Sequence, residues 1–224
     1  GASGGFVGVQ INAANCFVQG NYIGIGLDGT TADGNSFVGI QGSGDGTFIG
    51  GSGMDTIGGV SFPQGNVISA NGHGVTLVGS NITVQGNKIG TDATGMLDRG
   101  NTNIGVSLDG SNNIVGGTSA GARNIISGNN NPGVVLRPGS GGVAGTGNMV
   151  KGNYIGVAAD GTTALGNGTR QGYNTIDAWN GLAAGPTTWW AAANGGHDQG
   201  NGILWENKVY KIDELAQGNV MFSA

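Results

Sequence analysis

The carboxylates and aromatic rings that could act on a ligand gather near one end of the chain. Asp177, His197, Asp198 and Glu206 fall in the stretch that also holds all four tryptophans, Trp179, Trp189, Trp190 and Trp205. Hydrolysis of a glycosidic bond needs two carboxyl groups roughly 5–9.5 Å apart, one protonating the leaving oxygen and the other acting as base or nucleophile. A calcium-assisted elimination needs several oxygen ligands around the cation and a basic group to take the proton. Indole faces offer a third chemistry, because they stack on the apolar faces of sugar rings while nearby Asn, Asp and Gln bond the hydroxyls. Trp179, Trp189 and Trp205, with Asp177, Asp198 and Glu206, are therefore the candidate carbohydrate-contacting set. Trp189 and Trp190 are adjacent, so in an extended stretch they face opposite ways and only one can join such a platform.

Elsewhere the reactive residue types are sparse. The chain has 11 Asp and 2 Glu, and Asp28, Asp45, Asp109 and Asp160 each precede a glycine, the setting of an Asx turn rather than of catalysis. Asp92, Asp98 and Arg99 lie close in sequence but do not complete a lyase set. No grouping has metal-ligand spacing, and the glycine-rich run 139–147 lacks the lysine of a phosphate loop, so neither metal nor cofactor is expected. Asn81-Ile82-Thr83 and Asn167-Gly168-Thr169 satisfy the glycan-acceptor rule, which an Asn-rich chain meets by chance. No residue is assigned a catalytic role.

The elements that would position these groups show in a repeat. Gly20-Asn21-Tyr22-Ile23-Gly24 returns as Gly86-Asn87-Lys88-Ile89-Gly90 and as Gly152-Asn153-Tyr154-Ile155-Gly156, each 66 residues after the last. Gly34-Asn35, Gly100-Asn101 and Gly166-Asn167 keep the same step, whereas Asn66-Val67-Ile68-Ser69 recurs at Asn124 after 58. A shorter echo, from Gly65-Asn66 to Gly86-Asn87, spans 21 residues, so the 66-residue unit is expected to hold three rungs of roughly 20–25 residues. Each rung would join short strands with alternate residues inward. The inward set is expected to include Val9, Ile11, Phe17, Ile23, Val75, Leu77, Ile82, Val84, Ile89, Val106, Ile125, Val134 and Val150, with Cys16 also in a strand core. Glycine and asparagine suit the corners because both enter left-handed backbone conformations readily. Asn21, Asn87 and Asn153 are read as structural, stacking in a ladder in which they sit three rungs apart, with Asn66 among those filling between.

This pattern of Gly-Asn-x-Ile-Gly, an Asp/Thr/Gly turn, Gly-Asn, Gly-Gly and Asn-x-Ile-Ser-x-Asn resembles the right-handed parallel β-helix repeats of large secreted and surface-anchored microbial proteins. The resemblance implies an all-β solenoid in residues 1–172, an irregular Trp-rich insertion or cap in 173–217, and a final strand in 218–224. It implies an extracellular or cell-surface setting, but such repeats serve adhesins, fibres, lyases and hydrolases alike. Gly72-His73-Gly74 resembles the Gly-His-Gly segment of polygalacturonases, which are also β-helices. The Asn-Thr-Asp, Asp-Asp and Arg-x-Lys companions of that segment are missing, and the repeat places Val7 and Pro132 where His73 stands, so the histidine reads as filler of a variable turn.

Composition agrees with a turn-rich solenoid and narrows the partners. Of 224 residues 51 are glycine, only 9% are charged, and the net charge is −5 with 8 Lys plus Arg, so no basic patch for nucleic acid is expected. No apolar run nears the ~20 residues that span a bilayer. One cysteine excludes an internal disulfide. Any secretion signal is expected to lie outside the chain given, and repeats that start and stop in mid-pattern suggest either a piece of a longer protein or rods associating end to end. The functional expectation is a non-catalytic structural or adhesive element, a fibre subunit with carbohydrate contact through the Trp-rich region. The alternative is a polysaccharide lyase or glycoside hydrolase.

Overall fold

The computed structural model describes residues 7–57, 59–138 and 145–168, and beyond them the backbone of three short strands. The chain is an all-β parallel solenoid of about five rungs. Rung one is β1 (Val7–Ile11), β2 (Phe17–Val18) and β3 (Tyr22–Ile23). Rung two has β4 (Val38–Ser43) and β5 (Phe48–Gly50), then a hairpin of β6 (Met54–Ile57) and β7 (Val60–Pro63), and β8 (Val67–Ile68). Rung three is β9 (His73–Val78), β10 (Thr83–Gln85) and β11 (Lys88–Ile89). Rung four is β12 (Val106–Asp109), β13 (Ile114–Gly116) and β14 (Ile125–Ile126), with a 3-10 turn, Ala120–Ala122, before β14. Rung five is β15 (Val134–Arg137), β16 (Met149–Lys151) and β17 (Tyr154–Ile155). The last strands are β18 (Ile176–Ala178), β19 (Trp190–Ala192) and β20 (Val209–Lys211).

First, second and third strands of successive rungs pair in parallel to give three sheets. Sheet one runs β1-β4-β9-β12-β15-β18, sheet two β2-β5-β10-β13-β16, and sheet three β3-β8-β11-β14-β17-β19, with β20 antiparallel at its edge. Val9, Ile40, Val75, Val106 and Val134 stack in one inward column of sheet one. Most of that column is fully buried, at about 1.5–3 kcal/mol per aliphatic side chain.

Register corrects the expected rung length. Val7 pairs with Val38, Thr83 with Ile114 and Val75 with Val106, each a step of 31 residues, while Val38 to His73 and Ile114 to Met149 take 35. The 66-residue unit is two rungs, not three, and a rung is about 31 residues rather than 20–25. The 21-residue echo is real, since Val67 pairs with Lys88, but it is the one circuit that carries no excursion from the coil. Odd rungs leave sheet three in loops 24–34, 90–100 and 156–166, each pinched by a bridge: Ile25 to Ala32, Thr91 to Asp98, Val157 to Ala164. Even rungs insert instead before their third strand, the β6–β7 hairpin in rung two and the shorter Ala120–Ala122 turn in rung four. Alternating insertions make two rungs the sequence repeat, and the shorter second insert explains the 58-residue step from Asn66 to Asn124.

Two asparagine ladders, buried beyond the first rung, stitch the rungs. In Asn21-Asn66-Asn87-Asn124-Asn153 the main-chain N–H and Nδ2 of each residue donate to Oδ1 of the next, at 2.9–3.1 Å. Asn21, Asn87 and Asn153 are thus two rungs apart, with one asparagine between each pair, not three. Asn35-Asn71-Asn101-Asn129-Asn167 repeats the arrangement. Glycine is required beside the ladder: Gly116 has φ +87°, and a Cβ there would strike the Lys151 carbonyl and the Asn153 side chain.

Two expected core residues face out. Phe17 is 65% exposed while Val18 points in, and Ile125 lies on the outer face while Ile126 is fully buried. In a two-residue strand between turns, a slip of one position exchanges the faces, and both neighbours are apolar. Cys16 is half-buried just before β2, its thiol donating to the Ala13 carbonyl at 3.3 Å.

Candidate functional site

Trp179, Trp189, His197, Asp198, Trp205 and Glu206 lie outside the described residues. Asp177 is in β18, whose backbone pairs with Val135 of β15. The described chain presents a different site, on the outer face of sheet one.

There the outward column Gln10, Gln41, Thr76, Ser107 runs across β1, β4, β9 and β12, one residue per rung. Parallel in-register pairing forces this, because a solenoid repeats each strand position directly above the last. With Asn12 and Ser43 on one side, Phe37 and His73 on the other, and Arg137 at the far end, the column lines a groove of about 440 Å³. That is within the range of pockets that hold small ligands. Phe37 is half exposed at the rim and meets the His73 ring edge-on, centroids 6.3 Å apart.

Arg137 folds back into the groove. Its Nη1 donates to Ser107 Oγ at 2.6 Å and lies 3.8 Å from Asp109 Oδ1. Burial raises the Asp109 pKa from the ordinary carboxylate value, and Arg137 works against that rise. His73 is shifted down from 6.5 by burial first and by the Arg137 charge second, so it is neutral at pH 7.

Its tautomer follows from its neighbours. Asn131 Nδ2 donates to Asn103 Oδ1 at 2.6 Å, which turns Asn103 Nδ2 toward His73 Nε2 at 2.9 Å. With the amides assigned by this network, Nε2 accepts and the proton sits on Nδ1. Nδ1–H and the Thr76 hydroxyl are both buried without a hydrogen-bond partner among the described residues. Both residues line the groove, and a small turn of either side chain would bring its bare polar atom to a hydroxylated ligand there.

The described lining contains amides, hydroxyls, one imidazole and one guanidinium, but no Asp or Glu. It has no carboxyl pair for glycoside hydrolysis. Among the described residues no three His, Cys, Asp or Glu side chains group as metal ligands. The odd-rung aspartates close their own loops: Asp28 accepts from the N–H groups of Thr30 and Thr31 and from the Thr31 hydroxyl, and Asp160 repeats this with Thr162 and Thr163. Asp92 accepts from Thr94, Met96 and Leu97. Asp98 accepts from the Gly100 N–H, and Arg99 donates to the Thr30 carbonyl, so this trio serves loop closure.

His73, Thr76, Ser107 and Arg137 were not singled out from sequence as one site. The signal was present in steps of one rung: positions 10, 41, 76 and 107 are all polar, and each directly follows an inward aliphatic residue. Reading it requires the rung length. Comparison with protein families, with curated proteins and with solved structures finds no match to this chain.

Proposed function

We propose that the chain is a non-catalytic structural or adhesive β-solenoid of an extracellular or cell-surface protein, which holds a carbohydrate along the outer face of sheet one. The observation that carries the reading is the groove itself, where His73 Nδ1–H and Thr76 Oγ have no partner among the described residues and the rest of the lining is amides, hydroxyls, the Arg137 guanidinium, two valines and one aromatic edge. These are the groups that hold sugar hydroxyls and the apolar faces of sugar rings. The extracellular setting rests on the resemblance of the repeat pattern to secreted and surface-anchored β-helices. In this reading the Trp-rich segment 173–217 is a second carbohydrate contact, and association of rods end to end is a mode of assembly, since open parallel edges template a further strand.

The alternative, a β-helix polysaccharide lyase, has in its favour that His73 and Arg137 line one groove, as base and charge neutraliser. The hydrogen bond from Asn103 weighs against it, because Nε2 is occupied and Nδ1 already carries its proton. Glycoside hydrolysis is less favoured still, without a carboxylate in the described lining. The test is a glycan-array screen on the whole chain, with release of oligosaccharides followed on the same samples. Phe37→Ala with Gln41→Ala should sharply weaken binding, and no fragments should appear. Failure of the intact chain to bind any glycan overturns the reading, and release of fragments replaces it with the enzyme.

A further inference from the structure

A second pocket lies on sheet three, where Lys88 of β11, Ile125 of β14 and Tyr154 of β17 occupy one outward column. Arg123, two residues before β14, lays its guanidinium 4.1 Å from the centroid of the Tyr154 ring and donates Nε to the Gly152 carbonyl at 3.0 Å. Gly121 and Ala159 complete the walls, enclosing about 270 Å³.

The pocket is electrostatically out of character for the molecule. The chain carries a net charge of −5, yet the described lining has two cations and no carboxylate. Neither cation makes an ion pair among the described residues, where the one such pair is Arg137 with Asp109. Arg123 spends Nε on the backbone and its face on the tyrosine, which fixes the plane of the guanidinium and leaves its Nη groups for a ligand.

The fold does not ask for either charge. At the place of Lys88 the other odd rungs have Tyr22 and Tyr154, and at the place of Arg123 rung two has Gly65. Tyr22 and Tyr154 pack against Gly29 and Gly161 of their own loops, and the Lys88 stem packs against Gly95 in the same way. The stem replaces the ring in packing and adds only the ammonium. Two departures from the repeat therefore bring positive charge to one concave spot.

We propose that this pocket is an anion site that takes an oxyanion, a sulfate, phosphate or carboxylate, through Lys88 and Arg123. It does not depend on the sheet-one groove. A small oxyanion matches the site because a fixed guanidinium and an ammonium supply convergent, charge-assisted donors.

The test is an NMR titration of the whole chain with four probes: sodium sulfate, sodium phosphate, oligogalacturonate and a neutral glucose oligomer. Saturable shifts at Lys88 and Arg123 with the anions but not with the neutral sugar are expected, weakening as ionic strength rises. Tighter binding of oligogalacturonate than of the inorganic ions would assign the anion to an acidic polysaccharide, and the reverse to a free ion. Lys88→Tyr and Arg123→Gly each install a residue that the chain carries at the equivalent place, so both variants should fold, Lys88→Tyr with the parent's urea midpoint and Arg123→Gly with a lower one for the lost Tyr154 and Gly152 contacts. Each should weaken binding about tenfold, the loss of one charge-assisted contact. Absence of saturable shifts with every anion overturns the proposal, as does equal response to the neutral oligomer or unchanged affinity in both variants. Phe37→Ala leaves this titration unaltered, which separates failure here from failure of the groove.

Discussion

Truncating Asn87 to alanine tests whether the asparagine ladder holds the rungs together. The residue is fully buried. Its Oδ1 accepts from the Asn66 N–H at 3.0 Å and from Asn66 Nδ2 at 2.9 Å, and its Nδ2 donates to the Ile49 carbonyl at 2.8 Å, the Gln85 carbonyl at 2.9 Å and Asn124 Oδ1 at 3.1 Å. After truncation Asn66 Nδ2 keeps the Val18 carbonyl, and Asn124 Oδ1 keeps the N–H of residue 87. The Asn66 N–H and the Ile49 and Gln85 carbonyls lose these contacts. At about 1–3 kcal/mol per stripped buried group, with partial relaxation, the expected cost is about 3–6 kcal/mol. Asn21→Ala is the control. Asn21 is exposed and donates to Gln19 and Asn66, and water replaces those contacts at a cost below about 1 kcal/mol. Urea unfolding followed by circular dichroism should show the midpoint falling sharply for Asn87→Ala and hardly for Asn21→Ala, with the slope unchanged. Equal costs for the two variants, or less than about 1 kcal/mol for Asn87→Ala, would refute the ladder as a source of stability.

Gly116→Ala should cost about 2–4 kcal/mol, since the residue has φ +87° and its Cβ would strike the next rung, whereas Gly59→Ala, with φ +81° and open space around it, should cost only the ~1–2 kcal/mol backbone penalty; urea midpoints decide. Folding lowers the His73 pKa from 6.5, so the unfolded chain takes up the proton first on acidification. Stability is therefore level above that pH and declines below it until the folded-state histidine also titrates, and His73→Gln should flatten the decline in a pH series of unfolding curves. Asp160 is held down to about 2, first by the Thr163 hydroxyl and then by the N–H groups of Thr163 and Thr162. Its support for the loop is complete above 3.8 and is lost as pH falls through about 2; carboxyl NMR should show that midpoint, and Asp160→Ala should speed amide exchange at Thr162 and Thr163 without moving global unfolding.

Sequence showed the solenoid clearly because its most demanding positions admit so few residue types. A glycine such as Gly116 must pass a side chain of the next rung, and a ladder asparagine must donate and accept at once, so both recur wherever the coil turns. The rung count was less legible because excursions are invisible in a repeat period: loop 24–34 and the β6–β7 hairpin lengthen one circuit to 45 residues, and the next, with neither, takes 21. Facing was ambiguous at Phe17-Val18 and Ile125-Ile126 because two apolar neighbours carry no alternation. The groove was hidden for a different reason. His73 is polarised by Asn103, Asn131 and Arg137, each on a later rung, so no local motif announces it, and the repeat argues against it by placing Val7 and Pro132 at the same point.

That last conflict shows where function can reside in such a fold. The solenoid is satisfied by aliphatic side chains inside and by glycine and asparagine at its corners, so outward strand positions are free of those demands and cost little to vary. An outward residue that breaks its column then needs a reason outside the fold. His73 breaks a column begun by Val7 and Val38, and it is fixed in one tautomer by two asparagines that serve no ladder. Lys88 stands where the other odd rungs have Tyr22 and Tyr154, and Arg123 stands where rung two has Gly65, which has no room for a side chain. These departures fall into two clusters on two sheets, one rich in neutral donors and acceptors and one cationic. On the proposed reading, a rod with a polar groove on one face and an anion pocket on another would grip an extended, hydroxylated polymer along its surface.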